Sequence, residues 1–168
     1  MHPLFHPLFV EYCAYFNDQQ DYFECHEVLE DYWKTYAPRD RFHPLVGYVQ
    51  LATGMYHYRR GNTVGALRIL IKAKKNLQQH TQSPFVEYID LQDLLVKIDG
   101  AIEAIHAGEA FRPFQLLLTN EKLQQLAFEK AASLPAQEKH YMLHKHMLRD
   151  RSDIVALREE KLRQKLGF

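Results

Sequence analysis

Between Pro44 and Arg60, apolar side chains fall on every side of a helical wheel: Leu45, Val46, Tyr48, Val49, Leu51, Ala52, Met55, Tyr56 and Tyr58. A helix with no polar face has nowhere to sit but the middle of a fold, enclosed by other elements. Gly47 and Gly54, seven residues apart, share one side of it and let a neighbouring backbone come close. This one segment demands a layer of partners around it, and the rest of the chain supplies helical segments to form that layer.

Apolar residues elsewhere also recur with helical period, and no stretch alternates as a strand does. The spacing predicts a first helix over 4–16. Asp21 with Glu24 three residues on is a capping box, opening a second helix that runs to about Ala37. The third helix occupies 44–60, with Pro44 in its first turn. Asn62 is an N-cap for a fourth helix to about Gln79. A fifth is expected over about 86–107, ended by Gly108, then an extended stretch from Phe111 to Leu118. Two more helices are expected over about 120–134 and 136–165, parted by Pro135. Short links favour antiparallel neighbours. The expected fold is all-α: an antiparallel bundle of about five helices over 1–118 with a C-terminal helical extension over 119–168. That extension is expected to pack on the bundle or on a partner.

Composition removes several classes. The 168 residues are ample for one core, and 21 basic side chains balance 21 acidic ones. No apolar run approaches the roughly 18 residues needed to span a bilayer. The start, Met1-His2-Pro3-Leu4-Phe5-His6-Pro7, lacks the basic and apolar blocks of a secretion signal. Two cysteines, Cys13 and Cys25, are too few for a disulfide framework and sit in apolar stretches as small core residues. The expected location is the cytoplasm, with no membrane partner. Phosphate-binding glycine loops and a nucleophile elbow are absent from the sequence.

Charge is unevenly placed. Residues 59–80 hold Arg59, Arg60, Arg68, Lys72, Lys74 and Lys75 without a single acid, between acidic flanks. Arg68, Lys72 and Lys75 share a face. The flanks and the neutral total argue against nucleic acid as the partner, and favour pairing of this face with acids of a neighbouring helix.

On the second helix, Glu24, Glu27, Asp31 and Lys34 fill the solvated arc, while Tyr22, Cys25, Val28, Leu29, Tyr32, Trp33 and Tyr36 fill the core arc. His26 and Glu30 stand between them, one turn apart and able to touch. A carboxylate and an imidazole withdrawn from water need partners. Gln50, Thr53 and His57 form a polar stripe on the otherwise apolar third helix and meet that need if the two helices pack antiparallel. A cluster of His26, Glu30, Gln50 and His57 is thus compatible with an architectural network or with ligands to a divalent metal ion. His and Glu alone make at most half of a zinc site. His140 and His144, with His146 nearby, form a weaker pair lacking an acid or a cysteine to complete it.

The run Phe16-Asn17 followed by Tyr22-Phe23-Glu24-x-His26-Glu27-x-x-Glu30-x-x-Trp33 resembles the hallmark of the domain-of-unknown-function 309 family, a His-x-x-x-Glu-x-x-Trp/Tyr motif. The likeness continues through Gly47-x-x-Gln50-x-Ala52, Tyr56-His57 and Arg60-Gly61-Asn62-x-x-Gly65-Ala66, spanning roughly residues 8–80. It departs from the pattern at Gln19-Gln20, before Tyr22, and in its long C-terminal third. Members are small helical bacterial and archaeal proteins of unestablished role. The resemblance implies a metal-binding role for His26 and Glu30; on the residues themselves His57 is the third candidate ligand, Trp33 walls the site, and Glu27, Gln50 and Asn62 are further candidate binding residues. Two readings stay open. One is a non-catalytic interaction or ligand-binding module with a buried His/Glu network, meeting a protein partner or a second copy. The other is a metal-binding protein or metal-dependent hydrolase using His26 and Glu30.

Overall fold

The computed structural model describes residues 1–135. Among them the chain forms six α-helices and no strand: α1 Pro7–Ala14, α2 Tyr22–Tyr36, α3 Pro44–Arg59, α4 Thr63–Gln78, α5 Leu91–His106 and α6 Glu121–Ser133. The fold is all-α, as the periodicity requires. The helix expected over 136–165, with His140, His144 and His146, lies outside the described residues.

Most helices begin on a side chain that accepts from an otherwise orphaned amide. Asp21 accepts from the Glu24 N–H at 3.1 Å, Asn62 from Gly65 at 3.1 Å, Asp90 from Asp93 at 3.0 Å and Asn120 from Leu123 at 2.9 Å. The His-Pro pairs do the same work. The Nδ1 atoms of His6 and His43 accept from Leu8 and Leu45, each at 3.1 Å, ahead of α1 and α3, and His2 serves the short 3-10 turn Pro3–Phe5 in the same way. These three histidines are helix caps.

Helix α3 occupies the centre. Leu45, Tyr48, Leu51, Ala52 and Met55 are fully buried, with α2 on one side and α4 on the other. Its two glycines face α4: a Cβ on Gly54 would lie 2.5 Å from Leu70 Cδ2, and one on Gly47 would collide with Asn76 Oδ1. Helices α2 and α3 are antiparallel, since the Phe23 ring meets Tyr56 at 5.9 Å at one end and Tyr36 meets His43 at 5.6 Å at the other. Two of the buried phenols are satisfied by backbone. Tyr12 donates to the Tyr48 carbonyl at 2.7 Å, and Tyr48 to that of Phe85 at 2.8 Å. Helix α6 packs on α1 through Leu123 and Ala127.

Two expected boundaries are corrected. The first helix does not run unbroken over 4–16. His6 ends the Pro3–Phe5 turn and starts α1, and after Ala14 the chain widens into a π-helical turn over Tyr15–Gln19, leaving through Gln20 at φ 55°. Asn17 in that turn donates to the Leu116 carbonyl at 2.9 Å and accepts from the Leu116 N–H at 2.7 Å. The fifth helix starts at Leu91 instead of about 86. The residues before it pair with the returning extended segment: Asp90 N–H donates to Leu117 at 2.9 Å and Thr119 N–H to Tyr88 at 2.9 Å. No helix of the described residues is long and apolar enough to cross a membrane.

Candidate functional site

The site lies along the seam between α2 and α3. Asp21 fixes where α2 starts and therefore which way each later side chain points. His26 emerges at the edge of the seam with Glu30 one turn on. Its Nε2 is 3.2 Å from Glu30 Oε2, and its Nδ1 is 3.4 Å from Glu27 Oε1. The other Glu30 oxygen receives the Lys34 ammonium at 2.6 Å. Four charged or ionisable side chains thus form a chain Glu27–His26–Glu30–Lys34 down one helix. The hydrogen bond and charge of Glu30 raise the pKa of Lys34.

Sequence reasoning brings His26 and Glu30 together correctly, but their expected burial is corrected. Their side chains are 31% and 30% exposed. Both lie on the border between the core and solvated arcs, and Lys34 on the solvated arc meets the Glu30 carboxylate there. Lys34 was missed as a partner. Its signal was the spacing itself, a glutamate four residues before a lysine on a helix.

The third helix contributes less than the stripe suggested. Antiparallel register puts His57 opposite the start of α2 and Gln50 level with Glu30. His57 feels the His26 charge, and its imidazole pKa is lowered by partial burial first, then by Arg60 and His26. Its Nδ1 is 3.4 Å from Asn62 Nδ2, while Asn62 Oδ1 caps α4. Gln50 is not tied into the cluster: its Oε1 is buried with no hydrogen-bond partner. Thr53 turns back to accept its place on α3, donating to the Val49 carbonyl at 2.9 Å. Trp33 packs half-buried against the core, and its indole N–H donates to the Asp40 carbonyl at 2.9 Å, closing the loop into α3. Tyr36, assigned to the core arc, is 57% exposed because the last turn of α2 projects beyond the core.

Metal ligation requires three or four convergent donors. Among the described residues no group of three His, Cys, Asp or Glu side chains is placed to hold an ion. His26 and Glu30 remain a pair. Cys13 and Cys25 cannot complete it, being fully buried, with both thiols raised in pKa by burial.

The family model described as Domain of unknown function (DUF309) matches residues 9–69, which contain most of α1, all of α2 and α3, and the start of α4. The chain is similar over nearly its whole length to "Uncharacterized protein YpuF" of Bacillus subtilis (strain 168), with 32% identity over 169 residues and 94% of each chain covered. No solved structure matches the chain. The motif on α2, the glycine-faced α3 it packs against and this full-length likeness lead to one assignment: the chain belongs to the domain-of-unknown-function 309 family.

Proposed function

We propose that this protein is a non-catalytic interaction or ligand-binding module whose recognition surface is the polar seam of His26, Glu30, Gln50, His57 and Asn62, flanked by Glu27 and Trp33. One observation carries this reading: His26 and Glu30 face partners within α2 itself, the ring nitrogens lying beside Glu27 and Glu30 and the Glu30 carboxylate beside His26 and Lys34. A general base or a nucleophile needs a lone pair directed at substrate. Here the imidazole and the carboxylate face partners on their own helix at a partly exposed surface, an arrangement suited to recognition. A protein segment or a second copy of the chain fits such a surface. Two buried free thiols suit a reducing cytoplasm.

A second reading rests on one distance. The 3.2 Å between His26 Nε2 and Glu30 Oε2 is the separation that two ligands on one ion adopt when each bond is about 2.0–2.2 Å. His57 would then swing in as the third ligand, giving a metal-binding protein or a metal-dependent hydrolase.

Elemental analysis of protein purified without a histidine tag or chelator, beside His26→Ala, separates the two. The module reading expects no bound transition metal and no effect of chelator on folding. About one equivalent of metal, lost in the variant, overturns it in favour of the second reading.

A further inference from the structure

The outer face of α4 lies away from the seam and is unused by either reading. At about 100° per residue, Val64, Arg68, Ile71, Lys72 and Lys75 fall within an arc of roughly 100°, opposite the arc of Ala66, Leu70, Ala73 and Leu77 that is buried against α3. All five are exposed, Val64 to 72% and Ile71 to 49%. The sequence predicts pairing of this face with acids of a neighbouring helix, and on α4 Lys74, at its edge, reaches Asp99 of α5 at 2.5 Å. Arg68, Lys72 and Lys75 make no ion pair with the described residues. No acid occurs anywhere in residues 59–80. The result is a face of about three turns on which three cations, unpaired among the described residues, alternate with two exposed branched apolar side chains.

We propose that this face of α4 docks an acidic amphipathic segment of a partner protein, a helix presenting carboxylates in line with apolar anchors. Charge complementarity selects an acidic partner, because none of the described residues gives these three cations a counter-charge. Val64 and Ile71 select a protein. A phosphate backbone offers nothing apolar to cover them, and two side chains are too small an apolar surface to hold a helix in a membrane interface. Helix-on-helix packing uses such i, i+4, i+7 anchors. The inference stands independently of the α2–α3 seam, since none of its residues belongs to that cluster.

The test uses the full chain and a fluorescent helical peptide bearing glutamates and leucines at i, i+4 and i+7 spacing. Parallel titrations use the same peptide with glutamine for glutamate, an RNA duplex, and vesicles of phosphatidylserine with phosphatidylcholine. The expected result is saturable binding of the acidic peptide. It should weaken about tenfold or more in a Arg68→Glu/Lys72→Glu/Lys75→Glu variant, and also between about 50 and 200 mM salt. Val64→Ser/Ile71→Ser should weaken it too, with the salt dependence kept. Circular dichroism of each variant confirms that the bundle persists, as expected for substitutions confined to an exposed face. Absence of peptide binding overturns the proposal. So do equal binding by the charge-reversed variant, and tighter binding to RNA or to vesicles.

Discussion

Gly54 of α3 and Leu70 of α4 approach so closely that a Cβ on the glycine would stand 2.5 Å from the leucine Cδ2. The contact sets the distance between the central helix and its most extensive neighbour. Leu70 is fully buried and has no open space to turn into, so Gly54→Ala forces the helices apart. Overpacking of this kind costs about 1–3 kcal/mol. Gly100 of α5 is the control, since a Cβ there meets nothing within 4 Å. Gly100→Ala removes a flexible residue from a helix and should stabilise by about 0.4–1 kcal/mol. Urea denaturation of both variants checks the pair. Equal effects of the same sign would show that α3 and α4 are not held by this contact.

The exposure of the motif sets a modest scale for its ion pairs. His26 and Glu30 interact at a surface wetted by solvent, where such pairs contribute about 0.2–1 kcal/mol. Glu30→Gln should therefore destabilise by less than about 1 kcal/mol, and a double-mutant cycle with His26→Ala should give a coupling of the same order. The loss should shrink in high salt. A cost of several kcal/mol would mean that Glu30 is desolvated in solution and satisfies a buried donor.

Native thiol chemistry should be silent. Cys13 and Cys25 are fully buried, and burial raises both thiols above the ordinary range, with the Asp21 charge adding to the effect at Cys25. Cys25 also donates to the Tyr12 carbonyl at 3.5 Å. A disulfide-exchange reagent at mildly alkaline pH should label neither thiol in the folded protein and both after unfolding. Rapid labelling of one thiol under native conditions would show that α1 and α2 separate readily.

Much of this architecture is written in local signals. The Asp21/Glu24 pair announces α2, Asn62 announces α4, and the all-round apolar character of 44–60 marks the central helix, because capping and burial act over a few residues. The late start of α5 is different. It depends on Tyr88 and Asp90 meeting Leu117 and Thr119, a contact between segments about thirty residues apart that no local pattern encodes. Asn17 and Leu116 are a further long-range pair of this sort, and they hold the π turn that replaces the end of the first expected helix. At the site, the wheel put His26 beside Glu30 because both lie on one helix. Whether Gln50 and His57 would join them depended on side-chain reach across the seam, and there the pattern of a polar stripe overstated the cluster.

The cap on α3 makes stability depend on pH. His43 Nδ1 accepts from the Leu45 N–H at 3.1 Å, so that nitrogen carries no proton while the cap is made. The ring packs edge-on to Phe85 with centroids 4.5 Å apart, and burial lowers its pKa, helped by His80 and opposed by Asp40. A folded-state value below the ordinary 6.5 means that the fold favours the neutral ring. Its contribution is fully present above that ordinary value and is lost as pH falls through the lowered one. Protonation also fills the accepting lone pair and removes the cap, a loss of about 1 kcal/mol for caps of this type. His57, lowered as well, adds a dependence of the same sign. His43→Asn keeps a capping oxygen that does not titrate in this range. Urea midpoints measured at about pH 7.5 and pH 5 should therefore differ less in the variant than in the parent, with a residue of the difference left by His57. An unchanged difference would show that the His43 cap does not titrate with folding.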